Sequence, residues 1–112
     1  MKMKKRRQSQ NEKDGVYAVF DRTDTRVGSV CVSTAGHDTG DYLVIIAGID
    51  RDHVYVADGK VRKLIAPKKK KLRHLSMITN LSGPETEVLR SGLYNDSFLR
   101  KVLSKAKSEK LT

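Results

Sequence analysis

The sequence predicts a mainly β fold: a small antiparallel β-barrel over residues 14–79 with a helical C-terminal extension over residues 80–112, preceded by a disordered basic arm at residues 1–13. Three observations predict it. Short β-branched and apolar runs recur at roughly ten-residue spacing, separated by Gly and Asp clusters, as in small all-β domains. No helical period separates them, as a βαβ unit would require. After Ile78 the apolar period lengthens to that of a helix. At 112 residues the chain has room for one small domain and tails, and closing the sheet would remove edges that a free meander exposes to aggregation.

The arm at 1–13 is polar, basic and without periodicity. Val16 to Phe20 reads either as a short strand or as an extended lead-in, and Asp21–Thr25 is turn-like. Val27, Val30 and Val32, with Cys31 between them, form a β-branched run ending at Ser33-Thr34. The Gly-, Asp- and Thr-dense stretch Ala35–Asp41 marks a tight loop. Tyr42 to Ala47 is a continuous apolar run of the length of a strand buried on both faces. Gly48–Asp52 turns the chain, and His53–Ala57 alternates back. Asp58-Gly59 signals a hairpin, so Val61 to Ile65 is expected to be the returning strand. Pro67 ends regular pairing. Pro84 at a first helical turn, Glu85 and Glu87 behind it and Gly92 as a C-cap predict a helix over 84–91. A second helix starts at Asn95 or Asp96, either of which can cap it. Its Phe98, Leu99, Val102, Leu103 and Ala106 share one face, while Lys101, Lys105, Lys107 and Lys110 gather toward its C-terminal end.

The formal charge is +10, with a pI near 9.9, and polyanions are the natural partners of such a chain. The charge is unevenly placed. Residues 1–13 carry six Lys/Arg against one Glu, residues 14–59 three Arg against eight Asp, residues 60–75 eight Lys/Arg and no acid, and residues 76–112 six Lys/Arg against four acids. One cysteine precludes an internal disulfide and suits a reducing compartment. The basic start has no apolar stretch behind it, and Leu43–Ala47 is far too short to cross a bilayer. The expectation is a cytoplasmic protein that engages no membrane and acts as a monomer.

Val27-Gly28-Ser29-Val30-Cys31-Val32-Ser33-Thr34-Ala35-Gly36-His37-Asp38-Thr39-Gly40 resembles the KOW domain family, as do Asp58-Gly59-Lys60-Val61-Arg62-Lys63 and the later Leu72-Arg73-His74-Leu75. The likeness is to the branch holding archaeal and eukaryotic large-subunit ribosomal proteins and short bacterial RNA-binding relatives. Asn95–Leu103 is similar to the C-terminal helix of the bacterial members. The resemblance implies an SH3-like barrel and a ribosome- or translation-associated role, with RNA, ribosomal RNA foremost, and other ribonucleoprotein components as partners. His37 stands where many members of that family carry Arg.

The candidate RNA contacts follow from side-chain chemistry. Gly36 and Gly40 would let backbone N–H groups approach a phosphate, and Thr34, His37 and Thr39 can donate beside them. Lys60, Arg62, Lys63, Lys68, Lys69, Lys70, Lys71 and Arg73 supply attraction, expected from segments outside the strands. If about five or six phosphates were neutralised, log K would fall with log salt at a slope of about −4 to −5. His74 can meet a base or phosphate, though beside Leu75 its more common role is local packing. Tyr42 and Phe98 are assigned to the core, and Tyr55 is the aromatic to test for stacking. Few aromatics point to recognition of structured RNA by shape and phosphate. No cofactor, metal spacing or catalytic constellation is expected. A protein-interaction module of the transcription or translation machinery, meeting a basic partner through the acidic middle of the chain or docking through the apolar face of the helix over 96–108, is the alternative.

Overall fold

Residues 19–111 are described by the computed structural model; the expectations for the arm at 1–13, for residues 16–18 and for the Lys110 side chain lie outside them. Five strands form one antiparallel sheet, with two helices on one of its faces. The strands are β1 (Ser29–Ser33), β2 (Tyr42–Gly48), β3 (His53–Ala57), β4 (Lys68–Lys71) and β5 (Leu75–Asn80). They pair in the order β4-β3-β2-β1-β5, so the two edges are consecutive in the chain and joined only by the 3-10 turn Leu72–His74.

β-branched and apolar residues build the centre. Cys31 faces Leu43 across β1 and β2, and Ile45 faces Val56 across β2 and β3. Because side chains alternate along a strand, this register divides the core in two. Cys31, Leu43, Ile45, Val54, Val56 and Leu75 bury one face, with Leu72 against them. Val30, Val44, Ile46 and Ala57 bury the other, against Val27, Leu81 and the helices. The continuous apolar run of β2 is thus buried on both faces, as its composition predicts. Cys31 is sealed from water, and burial pushes its thiol up to about 12 against the lowering charge of Lys70.

Helix α1 (Gly83–Ser91) is set by local chemistry. The Ser82 hydroxyl accepts from Glu85 N and the Glu85 carboxylate accepts from Ser82 N, a reciprocal cap that satisfies two orphan donors. Gly92 closes the helix at φ 76°, in the left-handed region where glycine pays no Cβ penalty. Helix α2 (Asp96–Leu111) begins with the Asn95 side chain accepting from Phe98 N at 3.0 Å. Its Leu99, Val102, Leu103 and Ala106 bury against the sheet, the face expected from their spacing, and Phe98 packs half-buried beside Tyr94.

Two expectations need correction. Val61–Ile65 is not a strand. The Asp58 carboxylate accepts from Lys60 N and Arg62 N at 2.8 Å each, Arg62 O accepts from Asp58 N and Gly59 N, and Leu64 N donates to Asp96 of α2. The backbone groups a strand would use are consumed in a turn, and Ile65 is left 92% exposed. The returning strand is Lys68–Lys71 instead, expected outside the strands. At a sheet edge, lysines are tolerated because one side of the backbone faces solvent and their charge deters further pairing.

Candidate nucleic-acid interface

The β1–β2 loop is built around a buried carboxylate. Asp38 is 5% exposed and accepts from the Ser33 hydroxyl at 2.7 Å and from Lys70 Nζ at 2.8 Å. Lys70 Nζ also donates to Ala35 O at 2.7 Å, and Lys68 Nζ lies 3.6 Å from the second Asp38 oxygen. Burial alone would raise the Asp38 carboxyl, but hydrogen bonds from Lys70 and Ser33 and the charges of Lys70 and Lys68 outweigh it and hold it at about 2. Asp38 therefore stays ionised at any physiological pH.

Gly36 and Gly40 sit at φ 89° and 92°, so the loop needs glycine at both positions. The amides expected to approach a phosphate are largely committed to the loop itself. Thr39 N and the Thr39 hydroxyl both donate to Gly36 O, Gly40 N donates to Ser33 O, and Asp41 N donates to Asp38 O. His37 and Thr34 are exposed. His74 is half-buried, and its carbonyl accepts from Thr34 N at 2.9 Å, tying the loop to the 3-10 turn.

The eight cations of residues 60–75 do not form one surface. Register places Lys69 opposite Tyr55 and Lys71 opposite His53, while Lys68 and Lys70 project to the other face with Val56 and Val54. Lys70 is 6% exposed, a structural residue and not an open contact. Lys71 and Arg73 line a cleft of about 320 Å³ with Asp52, His53 and Leu72, where the His53 ring lies 2.8 Å from the Asp50 carboxylate. Lys60 and Lys63 are exposed beyond the opposite end of β3, and Arg62 is half-buried among them. Tyr55, the expected stacking residue, is half-buried against Phe20, with ring centroids 5.1 Å apart.

A second cationic place is contributed largely by residues outside the candidate set. A groove of about 510 Å³ lies between the Gly40–Tyr42 end of the loop, the Asp58–Val61 turn and α2. Lys60 and Gly40 reach it, as do Arg100 and Lys107. The Arg100 guanidinium donates to Gly59 O at 2.7 Å, and Lys107 Nζ lies 5.1 Å from the Tyr42 ring centroid. The spacing of Arg100, Leu103, Ser104 and Lys107 marks one helical stripe, but nothing in the sequence says which loops face it. Among the described residues, no group of three His, Cys, Asp or Glu could hold a metal ion, and no helix is long and apolar enough to cross a membrane. No protein-family model matches the chain, and no curated protein matches it.

Proposed function

We propose that the protein binds structured RNA, that its sheet is an SH3-like barrel of the KOW kind, and that it works in the cytoplasm in association with the ribosome or translation. One observation carries the RNA reading. Among the described residues, Lys60, Lys63, Lys69, Lys71 and Arg73 are exposed and none pairs with a carboxylate, while Asp24 and Asp38 of the acidic middle take up Arg26, Lys68 and Lys70. Charge that a fold leaves unneutralised is available to a phosphate backbone, with release of its condensed counterions.

The barrel reading rests on chain geometry. Lys71 and Leu75 lie on opposite edges of the hydrogen-bonded order, yet only three residues separate them. In a flat sheet four strand spacings would hold them about 19 Å apart, whereas a 3-10 link of that length spans about 8 Å. Curling also explains how Cys31, Leu43, Ile45, Val54 and Val56 are sealed on the face that carries no helix. The resemblance of residues 27–78 to KOW ribosomal proteins supports the association with translation. Docking of a protein on the apolar face of α2 is disfavoured, because Leu99, Val102, Leu103 and Ala106 are spent on the sheet.

The test is RNA affinity against salt for single alanine variants at Lys60, Lys63, Lys69, Lys71 and Arg73. Each lost phosphate contact lowers the slope of log K by about 0.7 to 0.9. An unchanged slope in all five sinks the RNA reading. Lys70 must stay intact in these variants, since its loss acts on folding.

A further inference from the structure

We infer that the groove between the β1–β2 loop, the Asp58–Val61 turn and α2 receives one unstacked nucleotide of the bound RNA, its base against Tyr42 and its phosphate among Lys60, Arg100 and Lys107; this inference rests on the RNA reading above.

Four observations converge on that ligand. The groove, at about 510 Å³, has room for one nucleotide and not for a duplex. Tyr42 is half-buried at the start of β2, packed against the helix-covered core, which fixes the ring while leaving part of it toward the groove. A ring so held loses little freedom when a base lies on it, and any base presents a π-face. Lys107 occupies the space over that ring at 5.1 Å, a cation–π contact that a base can replace while the ammonium swings to a phosphate. Lys60 is exposed and unpaired, and Arg100 is oriented by its bond to Gly59 O with the rest of its donor fork free of any carboxylate.

The acids of the groove do not cancel this. Asp58 directs one oxygen at Lys60 N and Arg62 N, so it is engaged in building the turn. Asp41 is exposed at the rim, where a carboxylate can accept from a ribose hydroxyl. Recognition of the paired parts of the RNA would remain with the cations elsewhere, and the groove would add preference for a site where one base is free to leave the stack, since unstacking is least costly there.

The experiment compares an RNA hairpin carrying one bulged adenosine with the same hairpin fully paired, and adds AMP as a separate ligand. The wild-type chain is expected to prefer the bulge by about 5- to 150-fold, the usual range for one stacked base. Tyr42→Leu should abolish the preference while leaving the affinity and salt slope for the fully paired hairpin unchanged, and Tyr42→Phe should keep it. Ser104→Met, an exposed change on the α2 wall, should also abolish it by filling the groove, which covers the case in which Tyr42→Leu fails to fold. Equal binding of both hairpins, or full preference in folded Tyr42→Leu and in Ser104→Met, overturns the inference and leaves RNA binding standing. Shifts of the Tyr42 and Lys107 resonances by AMP with no bulge preference also overturn it, since the ligand is then a free nucleotide. Binding of neither hairpin overturns both readings.

Discussion

Lys70 and Asp38 are both almost withdrawn from water, and each is tolerable only because of the other. Truncating one partner of a buried pair strands the remaining charge, which costs about 3–5 kcal/mol. Lys70→Met should therefore lower the unfolding free energy in urea by that amount, whereas Lys69→Ala, one residue away on the opposite face, should change it by no more than about 0.5 kcal/mol. The same pair gives a pH signature. The Asp38 carboxyl is held at about 2 in the folded chain, below its ordinary value of 3.8. A depressed carboxyl contributes stability that is fully present above its unfolded value and is lost as pH falls through its folded one. About 2 kcal/mol should thus disappear between roughly pH 4 and pH 2, and acid unfolding of Asp38→Asn should lack that component. None of this was legible in the run Lys68–Lys71. Four identical residues carry no marker of which one turns inward, and only strand register, absent from the sequence, separates Lys70 from Lys69.

Elements with chemical punctuation behave as their sequence suggests. Pro84, Glu85, Glu87 and Gly92 mark α1 in the sequence, Ser82 completes its cap in the structure, and the observed helix differs from the expected 84–91 by one residue. Ser82→Ala should cost about 1 kcal/mol, and Gly92→Ala about 1–2 kcal/mol for forcing a Cβ into the left-handed region, both measurable as shifts in the urea midpoint at constant m. β1, β2 and β3 were legible for a similar reason, their β-branched and apolar residues being needed for burial on a pleated surface. The edge was not. Val61, Leu64 and Ile65 have the composition of a strand, yet Asp58 and Asp96 capture the amides of this segment and leave the pairing position to lysines. A carboxylate 32 residues away from Leu64 decides that outcome, and no local pattern reports it.

At the scale of the whole molecule, charge and topology were legible in different degrees. The excess of cations in 60–75 and the small antiparallel sheet were readable from composition and spacing; the division of those cations between two ends and two faces was not, because it depends on the register of β4 against β3 and on the turn that Asp58 and Asp96 hold. The groove at Tyr42 is assembled from three segments separated by up to 67 positions, Gly40 to Lys107. The burial of Cys31 has a practical corollary. With its thiol at about 12 and no exposed surface, a maleimide cannot find a thiolate until the sheet parts. The chain holds a single cysteine, so its labelling rate is a one-atom gauge of opening at the centre of the molecule. In increasing urea that rate should yield the same free energy as spectroscopic unfolding, and a smaller value would reveal that β1 can separate from β2 while the helices stay docked.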